Sequence, residues 1–206
     1  MEVFRLFLDD SQLSSLFEEI PRATLEAEPA VSFVLDEELR LIYCNPAWDR
    51  FAEQNDGHLL LSEKMIGRSV LDSTSAQLSD YYRSLYNGVL RDRKPRDHDF
   101  HCSSPDLERL MRMHVLPLRK TAALVISCST RIEQSHRVPS EEPIEGRYRN
   151  HHGMVVMCSN CRRTRRGEGD RETWDWVSGF VKHQPVGVSH SICGLCLDYY
   201  YLALSD

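Results

Sequence analysis

With 206 residues the chain has room for one large domain or two small ones. Its 41% hydrophobic and 27% charged content sits near globular averages, which excludes disordered, collagenous and coiled-coil classes for most of the length. A formal charge of -6 argues against a general nucleic-acid binder, because counterion release needs an extended basic surface.

From the N-terminus, Glu2–Leu8 reads as a short strand or the start of a helix, and Asp10-Ser11 opens a capped helix with Leu13, Leu16, Phe17 and Ile20 on one face. That face is the expected pairing surface of a homodimer, with packing on its own sheet as the alternative. Val31–Leu35 and Leu39–Tyr43, joined by a turn at Asp36–Glu38, read as a strand hairpin. Asn45-Pro46 then caps a helix carrying Trp48, Phe51 and Ala52, and Asn55-Asp56-Gly57 closes it by left-handed backbone. Beyond a short apolar segment at Met65–Leu71, Thr74 and Gln77 form a capping-box pattern. The helix it opens aligns Leu78, Tyr81, Tyr82, Leu85 and Val89 and is bounded by Pro95.

From Asp97 the period changes to two. His98, Phe100 and Cys102 alternate, a turn follows at Ser103–Asp106, and Met111, Met113 and Val115 share one face opposite Arg112 and His114. A last apolar run covers Ala122–Cys128. Strand groups on either side of a helical segment specify an α+β fold with an antiparallel sheet. The polar stretch from Glu133 to Asn150, with Pro139, Pro143 and Gly146, reads as a linker.

Val31–Leu35, Leu41–Trp48 with Phe51-Ala52, Ile66–Ser69 and the Ala123–Ser127 strand follow one another in an order that resembles a PAS domain. The resemblance implies a five-stranded antiparallel sheet with helices on one face, and a sensory or dimerisation role. It divides the chain into a flanking helix at 1–29, a PAS-like domain at 30–134, a linker at 135–153 and a cysteine-rich module at 154–206. Flavin-binding light sensors of the family carry an Asn-Cys-Arg-Phe-Leu run after Gly-Arg. Here Gly67-Arg68 is followed by Ser69–Asp72, which lacks the adduct cysteine. An axial haem histidine is absent from Leu78–Val89, with His98 and His101 just beyond it. Tyr43, Tyr82, Tyr86 and His101 are further pocket candidates, and the ligand is unknown.

Of seven cysteines, Cys44, Cys102 and Cys128 are scattered, whereas Cys158/Cys161 and Cys193/Cys196 form two Cys-x-x-Cys pairs. Each pair presents two thiols at the spacing of a zinc knuckle, and together they complete a tetrahedral four-thiolate set. Zinc is the expected ion, with iron an alternative that spacing does not separate. The 31 residues between the pairs are a long connection, shortened by a helix suggested by Trp174, Val177, Phe180 and Val181. His190, three residues before Cys193, is a candidate ligand, a hydrogen-bond partner to a thiolate, or a plain loop histidine. Arg162, Arg163, Arg165 and Arg166 form a basic cluster, read first as cations offsetting thiolate charge and second as a phosphate or nucleic-acid contact.

Met157–Arg162, Arg165, Trp174 and Ser189–Cys196 also resemble a short cysteine-rich module at the C-terminus of bacterial PAS and response-regulator signalling proteins. Gly194 stands where proline is usual, and Gly167–Thr173 is longer than the typical connection, but neither departure touches a thiol.

No phosphate-binding loop, dinucleotide fingerprint, kinase motif set or nucleophile elbow is present, so no enzymatic activity is expected. No apolar run approaches the roughly 20 residues of a membrane span. The expected protein is therefore a cytoplasmic, non-enzymatic bacterial signalling protein: a PAS-like sensor and homodimerisation module coupled to a structural zinc module that contacts a signalling partner. A thiol-based redox or metal sensor is the second reading, and a transcriptional or nucleic-acid regulator the third.

Overall fold

The computed structural model describes residues 10–167 and 173–201. Glu2–Leu8 and the side chain of Leu13 lie outside the described residues. Two compact units are present. The first takes Met1–Thr74, Ser79–His98 and Arg112–Ser129, and the second Ser75–Leu78, Asp99–Met111 and Thr130–Asp206.

The N-terminal elements are α1 (Asp10–Glu19), α2 (Arg22–Ala27), β1 (Val31–Leu35), β2 (Leu41–Cys44), α3 (Pro46–Gln54), α4 (Ser62–Met65) and α5 (Ala76–Asp92). β3 (Arg96–His101), β4 (Leu107–Pro117) and β5 (Leu124–Ser135) complete a five-stranded antiparallel sheet of order β2-β1-β5-β4-β3. Met111, Met113 and Val115 are buried on one face of β4, as the alternation predicts.

Asn45 fixes the start of α3 and much around it. Its Oδ1 accepts the Ser32 N–H at 3.0 Å and the Trp48 N–H at 3.2 Å, and its Nδ2 donates to the Ala30 and Glu28 carbonyls at 2.9 and 3.0 Å. One buried amide thus caps a helix and ties it to β1 and the segment before it. At the other end of α3, Asp56 takes the left-handed conformation (φ 57°) expected within the Asn55–Gly57 turn. Gly57 serves a different need: a Cβ there would lie 3.1 Å from the Ala52 carbonyl oxygen. The expected capping box is not made as read, since Thr74 Oγ1 donates to the Leu71 carbonyl at 2.8 Å and meets Ser79 Oγ at 2.7 Å. The Gln77 side chain lies outside the described residues.

The apolar face of α1 packs on its own sheet. Leu16 is 1% exposed and joins Leu25, Val34, Ile42, Tyr43, Leu118, Ala123 and Val125, with Phe17 and Ile20 packed alongside. Register explains the membership of two adjacent β2 residues. Val34 pairs with Tyr43 and Leu35 with Leu41, leaving Ile42 as the extra residue of a bulge that turns both it and Tyr43 toward the helix. The surface expected to pair two chains is therefore consumed within the first unit. On the opposite face of β1, Phe33 meets Trp48 of α3 edge-on at 5.2 Å.

In the second unit, α6 (Glu145–Tyr148) precedes β6 (Val155–Cys158), β7 (Thr164–Arg165), β8 (Trp174–Asp175), α7 (Ser178–Lys182), β9 (Val188–Ser191) and α8 (Gly194–Cys196), and a π-helical turn covers Leu197–Tyr201. The stretch expected as a linker is more ordered than its composition suggests. β5 continues to Ser135, and Tyr148, 1% exposed, packs with Val155, Met157, Val177 and Phe180. Polar residues around it masked the single large aromatic that anchors the segment. The helix suggested from Trp174 begins only at Ser178, because Trp174 pairs as a strand with Arg165.

Candidate metal centre

The four-stranded sheet of the second unit has the order β8-β7-β6-β9, with β6 and β9 parallel and in register from Val155–Val188 to Cys158–Ser191. Parallel strands finish at the same edge. Cys158 ends β6, and Cys193 follows β9 by two residues, so both Cys-x-x-Cys pairs emerge side by side despite their separation in sequence. The first pair sits on a tight turn in which Arg162 takes φ 63° and Cys158 N–H donates to the Arg163 carbonyl at 2.8 Å. The second lies on a helical turn, where Leu197 N–H donates to the Cys193 carbonyl at 2.9 Å.

The Sγ atoms of Cys158, Cys161, Cys193 and Cys196 all lie within 4.8 Å of one another, and Cys161 and Cys193 are 3.7 Å apart. Four sulfurs bound at about 2.3 Å to a central ion would be separated by about 3.8 Å. The donor set therefore fits a tetrahedral thiophilic cation. Cys158, Cys193 and Cys196 are buried and Cys161 is partly exposed.

Two N–H groups point at these sulfurs. Cys193 N–H donates to Cys158 Sγ at 3.4 Å, and Asn160 Nδ2 donates to Cys196 Sγ at 3.3 Å. The thiols also bond one another with opposed effects. Donation from Cys161, then from Cys193 and Cys196, pulls the Cys158 pKa down, whereas Cys161 is pushed up by its bond to Cys158. Four thiols this close together cannot all ionise without a countercharge, which a divalent cation supplies.

His190 lies exposed on β9, in register with Met157, and outside the four-thiol cluster. Asn160, which sequence reasoning passed over, donates its side-chain amide to one of the sulfurs. The usable signal was a polar residue inside the first Cys-x-x-Cys turn, where a side-chain donor reaches sulfur with little chain movement. Within the basic cluster, Arg166 forks onto Asp175 at 2.7 and 3.2 Å, and Arg165 lies over the Trp174 ring at 5.9 Å. Both of these guanidiniums are thus engaged within the module.

Among the other singled-out residues, Tyr82, Tyr86 and His98 pack together, the His98 ring lying 5.7 Å from that of Tyr82. Tyr82 and Tyr86 are buried and stack at 5.9 Å, Tyr43 belongs to the α1 cluster, and His114 Nδ1 meets Asp97 at 2.7 Å. His98 Nδ1 bonds Tyr81 Oη at 2.8 Å, while His101 Nε2 bonds Tyr200 Oη at 3.0 Å in the second unit. Burial raises the thiol pKa of Cys44 and of Cys102.

Comparison with known proteins settles the family of the sheet-bearing region. A family model described as the PAS fold matches residues 25–136, more than half the sequence. The chain belongs to the PAS-fold family. No curated protein matches it. Similar solved structures include the PAS domain of Bordetella pertussis BvgS, with 16% identity, TM-score 0.45, and coverage of 62% of this chain and 90% of that one. The Cronobacter turicensis RpfR quorum-sensing receptor PAS domain, in complex with C12:0, has 18% identity, TM-score 0.41, and coverage of 51% and 96%. The photoactive yellow protein domain of Rhodospirillum centenum Ppr, a sensor histidine kinase, has 13% identity, TM-score 0.40, and coverage of 55% and 96%. Among the described residues of this PAS-fold chain, no helix is long and apolar enough to cross a membrane.

Proposed function

We propose that this chain is a non-enzymatic, cytoplasmic bacterial signal-transduction protein in which a PAS-fold sensory region is coupled to a module held by one structural Zn2+. Cys158, Cys161, Cys193 and Cys196 would be the ligands. The observation that carries the reading is the convergence of four thiols to mutual separations within 4.8 Å at the shared edge of β6 and β9. Zinc would supply folding free energy and no catalysis, since four protein ligands leave no open coordination position.

Output through protein contact is supported by Leu195, Leu197 and Tyr199, which are all exposed on the helical turns that follow the second pair. A homodimer remains part of the reading, through a surface other than the apolar face of α1. Elemental analysis of reduced protein purified without added metal is the test. About one zinc per chain is the expected result. Absence of a stoichiometric metal would overturn the reading, and stoichiometric iron would replace zinc within it.

A further inference from the structure

A cavity of about 250 Å3 opens in the second unit, and Cys161, Cys193 and Cys196 form part of its wall together with Arg163 and Val138. Cys158, 1% exposed, is not part of that wall. The four sulfurs also differ in their donors: N–H groups bond Cys158 and Cys196, whereas Cys161 Sγ lies among the other thiols, 3.7 Å from Cys193 Sγ. A hydrogen bond withdraws charge from sulfur and lowers its nucleophilicity, so two positions are shielded and two are less so. Of those two, Cys161 alone is partly exposed.

We propose that Cys161 is a modification site at which hydrogen peroxide entering this cavity forms a sulfenic acid, which Cys193 then resolves to a disulfide. The inference rests on the four-thiolate metal reading, because metal binding is what keeps these sulfurs deprotonated. In the first step the Cys161 thiolate attacks one peroxide oxygen. The S–O bond forms, the O–O bond breaks, and the departing hydroxide takes a proton to become water. Arg163, in the same wall, is placed to stabilise the negative charge that develops on the departing oxygen.

In the second step the Cys193 thiolate attacks the Cys161 sulfur. The S–S bond forms, the S–O bond breaks, and a second hydroxide is protonated. Two thiolates, one peroxide and two protons yield one disulfide and two waters, the sulfurs losing the two electrons that peroxide gains. The sulfurs start 3.7 Å apart and must close to about 2.05 Å. Cys158 and Cys196 are then left as two of the four ligands, too few to retain the ion.

The test uses the full chain, reduced and assayed for zinc before oxidant is added. One equivalent of hydrogen peroxide is then supplied with a zinc-indicator dye, dimedone is added at early times, and cysteine pairing is mapped by mass spectrometry. Expected are early dimedone labelling of Cys161, release of zinc in step with disulfide formation, a predominant Cys161–Cys193 linkage, and recovery on reduction. Val138→Trp, which narrows the cavity without touching a ligand, should release zinc several-fold more slowly at unchanged zinc content. An unaltered release rate in that variant overturns the cavity as the route. Retention of zinc with all four thiols intact, or a first disulfide within either Cys-x-x-Cys pair, overturns the modification site itself. Substoichiometric metal in the reduced protein would instead overturn the metal reading beneath it.

Discussion

Asn160 donates its side-chain Nδ2 to Cys196 Sγ at 3.3 Å while its Oδ1 accepts the His101 N–H at 3.0 Å. The amide is buried and orients one of the four proposed ligands from within the first Cys-x-x-Cys turn. Removing such an outer partner typically costs 10–100-fold in metal affinity. Asn160→Ala should therefore weaken zinc retention about 10–100-fold, read by competition with a chelator, with stoichiometry still one. His190→Ala should leave the stoichiometry at one, since His190 is not among the four clustered thiols. Loss of the ion in the histidine variant would make that residue a ligand.

Cys158→Ser should unfold the metal module while sparing the hairpin of β1 and β2. In so small a unit the binding free energy is folding free energy. Hydrogen exchange would show lost protection at Val155–Cys158 and Val188–Ser191, with Val31–Leu35 still protected. Equal loss in both regions would mean a single cooperative structure.

Leu16→Asp tests where the apolar face of α1 goes. A carboxylate placed among Val34, Tyr43 and Val125 is buried with no cation in that cluster, and the cost is on the order of 4 kcal/mol. Loss of the cooperative thermal transition is the expected outcome. A folded monomer derived from a parent dimer would show instead that α1 pairs chains.

Asn45→Ala should cost on the order of 3 kcal/mol, since it orphans the Ser32 and Trp48 N–H groups and removes a helix cap. Denaturant titration measures it. A change below about 1 kcal/mol would show that water replaces the amide.

Burial pushes the pKa of Tyr81 up to about 12, and burial together with the bond to Asp175 does the same for Tyr148. Their folded values lie above the ordinary tyrosine value of 10.0, so the folded state binds more protons than the unfolded one above that pH. The stability they contribute is full below pH 10 and is lost as pH rises toward 12. Tyrosinate absorbance should show these two ionising late, in step with unfolding. Ionisation of both near pH 10 in protein that stays folded would contradict their burial.

What the sequence disclosed depended on how far each signal reaches along the chain. Asn45-Pro46 and the alternation through Met111, Met113 and Val115 are local devices, and both appear where they were expected. The Cys-x-x-Cys pairs were equally legible because the turn that presents each pair is only a few residues long. Ile42 and Tyr43 share a cluster only through a bulge, which depends on the register with β1 and leaves no trace in β2 alone. Tyr148 sits in a polar stretch whose composition reads as linker, and its partners Val177 and Phe180 are far along the chain. Asn160 was missed for a similar reason, because its value comes from Cys196 and His101, neither of them a sequence neighbour.

The parallel pairing of β6 with β9 also sets an order of assembly. During synthesis the first pair of thiols emerges with β6, while the strand that positions the second pair is still unmade. β7 and β8 can join β6 as a hairpin ribbon before that, yet Val188–Ser191 must dock along Val155–Cys158 before four sulfurs share one edge. Completion of the four-thiol set thus waits for β9. A ribosome stalled anywhere between the two pairs leaves Cys158 and Cys161 as a two-thiol site, open to whatever metal or oxidant reaches it first.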